Sequence, residues 1–176
     1  MEPIIKYKNG NKIVVIKDIK FKGRQQIQWD EVEKYLKEYI GTVHIIQSTD
    51  DMVFIGEDLP DEYAHSNYTI KLKGANANAK ANAVQGISEM LSIANEKEYE
   101  NNRKDKHSKD AKYGWYSYVT RFALPIYDKN KKIERYNIFR AIMLIRHADN
   151  GKLYLYDIIK IKKEASTHFQ SEDLTQ

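Results

Sequence analysis

His107 lies in the run Lys104-Asp105-Lys106-His107-Ser108-Lys109 and is the side chain whose type best suits proton exchange near neutral pH. The lysines around it favour the neutral imidazole, which suits a general base, and the same run reads equally as the solvated face of a charged segment. Arg121, Arg140, Arg146 and His147 are of the types that grip phosphate oxygens through paired hydrogen bonds and stabilise developing negative charge, or that pair structurally with Asp157 or Glu134. For Arg140, inside an apolar strand, the structural role is expected. Trp115, Tyr116, Tyr118, Tyr154 and Tyr156 offer ring faces to unstacked bases, although most aromatics at alternating positions enter the core. Lys104, Lys106, Lys109, Lys112, Arg146 and His147 form the expected nucleic-acid-binding set.

Other chemistries find no support. There is no GxxxxGK and no GxGxxG phosphate loop, and no GxSxG elbow for a serine nucleophile. His44, His65, His107, His147 and His168 lack the close spacings of zinc sites, and the absence of cysteine removes thiolate ligands and disulfides. Glu57, Asp58, Asp61 and Glu62 with His65 nearby could hold a hard cation, but read better as a solvated acidic loop or a helix cap. Neither a metal nor a cofactor is therefore expected.

Positioning these groups falls to an α+β arrangement, expected as one domain over residues 1–176. Ile4 to Lys8 and Lys12 to Ile19 flank Asn9-Gly10 as a hairpin. A helix starts at Asp30, carries Val32, Tyr35, Leu36, Tyr39 and Ile40 on one face, and stops at Gly41. Thr42 to Gln47 and Met52 to Ile55 complete a ββαββ subregion over 1–58. Acidic Glu57 to Ser66 reads as a boundary and Tyr68 to Leu72 as a further strand. A long helix is expected from Ala77 to Asn95, weakened by Gly86. Glu96 to Lys112 either extends that helix as a solvated arm or forms a loop. Trp115 to Tyr127, Ile133 to His147 and Leu153 to Lys163 then make a three-stranded antiparallel meander, so that 68–163 forms a helix-plus-sheet subregion and 164–176 a tail. In the first of these strands Tyr116, Tyr118, Thr120, Phe122, Leu124 and Ile126 share the core face, while Ser117, Val119 and Arg121 point the other way.

Charge is distributed unevenly. Residues 97–163 hold 17 Lys/Arg against 8 Asp/Glu, whereas the remainder is slightly acidic. A positive field confined to the meander raises the odds of a polyanionic partner such as RNA. No apolar run reaches the roughly 18 residues of a membrane span, and Met1 to Lys12 lacks the apolar core of a secretory signal, so a cytoplasmic location is expected.

Several strings occur together: Asp58-Leu-Pro-Asp-Glu-Tyr63, Lys80-Ala-Asn-Ala83, Gly114-Trp-Tyr116, Thr120-Arg-Phe-Ala-Leu-Pro125, Glu134-Arg-Tyr-Asn137, Leu144-Ile-Arg-His147 and Lys152-Leu-Tyr-Leu-Tyr-Asp157. With them the chain resembles a domain of Firmicutes phages and conjugative elements, carried at the C-terminus of long polyvalent or phage-head-associated proteins. Such domains are grouped with the barnase, EndoU, colicin E5/D and RelE-like nucleases. The resemblance implies a toxin-like, host-directed RNase that cleaves without metal, with His107 as base or acid, Arg121 as phosphate stabiliser, Lys163 and Thr167 as supporting groups, and Tyr118 as a lesser candidate. EndoU-like enzymes use two histidines, so His147 or His168 would have to serve beside His107, or a lysine or tyrosine would. The alternative is a catalytically silent module of a mobile element that blocks a host defence protein or binds a phage structural protein.

Overall fold

A computed structural model describes residues 2–23, 26–101 and 111–169. The chain opens with a hairpin, β1 (Ile4–Lys8) and β2 (Asn11–Val15), turned at Asn9 and Gly10, whose positive φ angles suit Asn-Gly. α1 (Trp29–Leu36) buries Val32 and Leu36 and passes through a single 3-10 turn before Gly41, at φ +90°, reverses the chain. β3 (Val43–Ile46) and β4 (Asp51–Phe54) form a second hairpin.

The strands of residues 1–58 join the sheet of the later strands rather than forming one of their own. β2 pairs in parallel with β6 (Trp115–Tyr127), and β4 in parallel with β8 (Leu153–Thr167). With β7 (Ile133–His147) between them, the sheet order is β1-β2-β6-β7-β8-β4-β3, so the two N-terminal hairpins lie at opposite edges of one sheet. The meander is present as expected, except that β8 runs on to Thr167 through the segment assigned to the tail.

Four expectations for the middle of the chain are corrected. The acidic boundary folds as α2 (Leu59–His65), with Pro60 in the first turn where its missing N–H costs nothing. The expected strand Tyr68–Leu72 is α3 (Asn67–Lys71): Ser66 caps it by accepting the Thr69 N–H at 3.2 Å, and β-branched Ile70 is exposed. The expected long helix is α4 (Gly74–Ala83), a 3-10 turn at Val84–Gly86 and α5 (Ile87–Ile93). A Cβ at Gly86 would approach Val14 Cγ1 to 3.1 Å and Ile16 Cδ1 to 3.3 Å, so glycine is what lets this helix lie against β2. The start of the segment expected as an arm or loop is a strand, since β5 (Asn95–Glu100) covers the outer edge of β6 from Trp115 to Val119, while residues 102–110 lie outside the described residues. Every β5 side chain is exposed, as suits a charged edge strand, and hydropathy periodicity therefore carries no signal there.

The sheet curls. Tyr118 on β6 donates its hydroxyl proton to Asp51 on β4, although β7 and β8 lie between them in strand order. The concave face encloses α4 and α5, where Ala79, Ala81, Ala83, Val84, Ile87, Met90 and Leu91 have no exposure. A helix surrounded on most sides admits small side chains, which explains the alanine repeat. Its polar residues are satisfied internally: Asn82 accepts the Lys20 and Phe21 N–H groups at 2.8 and 2.9 Å and donates to the Phe21 carbonyl at 3.0 Å. Tyr118, Thr120, Phe122 and Leu124 face this core as alternation predicts. The opposite face carries no helix among the described residues; at one end Ile4, Ile13, Val15, Ala123, Tyr136 and Ile138 cluster there, with Phe169 packed against them.

Candidate nucleic-acid interface

The end of the sheet where β6 and β8 begin and β7 ends gathers rings and cations on both faces. On the helix-free face one register row crosses five strands: Val43, Phe54, Tyr154, Arg146 and Trp115. Residues paired in register project to the same side, so the row places three rings and a guanidinium next to one another. Arg146 lies 4.3 Å over the Tyr154 ring, Lys152 Nζ lies 4.8 Å over the Phe54 ring, and Phe54 and Tyr154 are 6.0 Å apart. Trp115 packs on Tyr156 at 4.9 Å. Asp58 at the start of α2 fixes the arginine, accepting from Nε at 3.1 Å.

The other face continues the pattern. Tyr116 contacts Tyr99 at 5.1 Å and His147 at 5.8 Å, and His147 contacts Tyr113 at 5.2 Å. Lys97 Nζ lies 4.4 Å over Tyr116 and Lys112 Nζ 5.6 Å over Tyr113. Tyr99 and Tyr113 are 52% and 46% exposed, so their rings remain open to a ligand. Local structure explains the gathering. Gly114, at φ +97°, turns the chain into β6 so tightly that a Cβ there would stand 2.6 Å from the Glu100 carbonyl oxygen. The Tyr113 N–H then donates to the His147 carbonyl and the His147 N–H to the Gly114 carbonyl, each at 3.0 Å. His147 Nε2 lies 3.2 Å from the Gly151 carbonyl oxygen; that oxygen can only accept, so in the neutral ring Nε2 carries the proton and Nδ1 is the basic nitrogen.

Of the expected binding residues, Lys112, Arg146 and His147 therefore come together. Lys104, Lys106 and Lys109, with His107, lie outside the described residues. The other expected catalytic residues are spread apart. Arg121 is on the helix-free face, its Nε donating to Glu164 Oε1 at 2.7 Å; it pairs in register with Arg140, six residues and about 20 Å along β7 from Arg146. Lys163 is exposed opposite Phe139, and Thr167 is buried opposite Tyr136, farther still from that end.

Tyr118 is on the core face. Burial first, then the hydrogen bond to Asp51, pushes the pKa of its hydroxyl up to about 12, so at neutral pH it is a proton donor and not a base. Partial burial pushes the Asp51 carboxyl up, but hydrogen bonds from Lys97, Tyr118 and Thr49 outweigh it and hold the group below the ordinary aspartate value. The structural partners expected for Arg140 are taken: Asp157 binds Lys80 and Glu134 binds Arg135, leaving Arg140 between Arg121 and Lys162 with no ion pair among the described residues.

Sequence reasoning misses Phe54, Lys97, Tyr99, Tyr113 and Lys152. Phe54 reaches the row only through the parallel pairing of β4 with β8, and Lys97 and Tyr99 lie on the strand that hydropathy does not reveal. No helix among the described residues is long and apolar enough to cross a membrane. Comparison of the chain with protein-family models, with curated proteins and with solved structures returned no match.

Proposed function

We propose that the protein binds single-stranded RNA at the ring-bearing end of β6, β7 and β8. The observation that carries this reading is the register row Phe54, Tyr154, Arg146 and Trp115, in which one guanidinium stands among three rings, of which Phe54 and Tyr154 are half-exposed and of a type that stacks on bases while Trp115 is buried. Arg146 and Lys152 lie over the Tyr154 and Phe54 rings, so a base stacking beside either ring would have a cation near its phosphate. The excess of Lys and Arg over residues 97–163 adds a long-range attraction to the same half of the chain.

Fluorescence anisotropy with a labelled single-stranded RNA of mixed sequence tests the proposal. Replacing a ring that stacks on a base by alanine costs about 1–3 kcal/mol, so Tyr154→Ala is expected to weaken binding about tenfold, and Arg146→Ala, which removes the cation over that ring, by a similar factor. Failure of the wild type to bind RNA at low salt, or binding by both variants as tight as by the wild type, would sink it.

Cleavage of the bound RNA is a second reading, favoured by the basic Nδ1 that His147 holds among these rings and by the nuclease resemblance. Gel analysis in the presence of EDTA separates the two. Intact RNA supports a silent binding module of the kind that would block a host complex, whereas shortening that requires both His107 and His147 supports a metal-independent RNase.

A further inference from the structure

At the opposite end of α2 from Asp58, the last residue of that helix and the first two turns of α1 bring two carboxylates and an imidazole together. Asp30 and Glu33, three residues apart, share one face of α1, and His65 closes α2, which packs against it. His65 Nε2 lies 3.3 Å from Asp30 Oδ1 and 3.7 Å from Glu33 Oε1, and the three ligating atoms all lie within 4.8 Å of one another.

Two observations set this cluster apart from an ordinary ion pair. A charge-assisted N–H···O bond closes to about 2.7–2.9 Å, and neither carboxylate has closed to that distance. The 3.3 Å separation of His65 from Asp30 instead matches the edge of a tetrahedron, since ligands at about 2.0–2.2 Å from a zinc ion lie about 3.3–3.6 Å from each other, and Glu33, at 3.7 Å, stands just outside it. In addition, Asp30 and His65 line a cavity of about 650 Å³ with Trp29, Gln28, Ile70 and Lys73. A fourth coordination position directed into that space would have room for water or an anionic ligand. The acidic residues of α2 considered from the sequence, Asp61 and Glu62, are not members of the cluster.

We infer that Asp30, Glu33 and His65 form a binding site for a divalent transition ion of the zinc type, with an open position facing the cavity. One imidazole with two carboxylates suits Zn2+ over Mg2+, and Zn2+ should bind more tightly than Mn2+. The site is independent of the RNA-binding reading.

Isothermal titration of the EDTA-treated full chain with ZnCl2 provides the test, paired with thermal melts. One ion per chain is expected, with a rise in melting temperature on adding Zn2+. His65→Ala and Glu33→Gln should each lower the affinity at least about tenfold and abolish that rise, while His168→Ala changes neither. The side chain of His65 is 38% exposed, and Glu33→Gln keeps the shape of a side chain that is 22% exposed, so the variants should keep the fold, which circular dichroism checks. No saturable binding, or an isotherm that survives both His65→Ala and Glu33→Gln, overturns the inference.

Discussion

Lys80 has no exposed surface, and its ammonium donates to Asp157 Oδ1 at 2.7 Å and Thr69 Oγ1 at 2.6 Å between the rings of Tyr63 and Tyr68. Burial lowers the lysine pKa despite its partner; burial likewise pushes the Asp157 carboxyl up, to about 6, against the pull of Lys80. The charges are held by each other, so removing one strands the other. Asp157→Asn or Lys80→Met alone is expected to cost about 3–5 kcal/mol in urea unfolding, and the double variant much less than the sum. Simple additivity would show that the two charges are not coupled. Asp51 obeys the opposite sign. Its carboxyl is depressed in the folded state, so its contribution to stability is present above the ordinary aspartate value near pH ~4 and is lost as pH falls through the folded value. Stability measured between pH 6 and pH 3 should therefore decline less in Asp51→Asn than in the wild type, and a parallel decline would assign the acid sensitivity elsewhere.

At the scale of elements, Gly86 separates α4 from α5 at the closest approach of the helix to β2. Alanine would gain about 1 kcal/mol in helix propensity, but its methyl would press on Val14 and Ile16, both buried and β-branched. Gly86→Ala is expected to destabilise by about 1 kcal/mol net, because overpacking of a filled core exceeds the propensity gain. A more stable variant would mean that β2 yields. Such close approaches mark what a sequence can and cannot reveal. Asn9-Gly10, the stop at Gly41 and the alternation of β6 are local signals, and each is legible. β5 exists because an edge of β6 is open to it, and α3 because Ser66 caps a short turn that β-branched residues disguise; neither cause is a hydropathy pattern. Lys112 and His147 on one face and Arg146 on the other can be assigned to one end of the sheet because the strand order of a meander is predictable. Phe54 and Lys152 cannot, since parallel pairing between distant strands leaves no local trace.

For the molecule as a whole, charge and aromatic side chains coincide in the C-terminal half, and the proposed RNA binding should therefore depend on salt. For single strands the slope of log affinity against log salt is about −0.7 per neutralised phosphate. Replacing Lys112 or Lys152 by alanine should make that slope shallower by about one such step, whereas replacing Lys34, on α1, should leave it unchanged. Equal changes from all three would point to diffuse attraction by net charge.

The curled sheet also dictates an order of events. Val14 pairs with Phe122 and Val53 with Leu153, so each N-terminal hairpin finds its neighbour only about a hundred residues later in synthesis. Neither hairpin has its sheet partner until the meander emerges, and the contact of Tyr118 with Asp51 closes across the concave face that holds α4 and α5. Pairings of such long sequence separation fold slowly. Until then the exposed apolar strands are open to chaperones and to misassembly, so the meander strands control when the two N-terminal hairpins become safe.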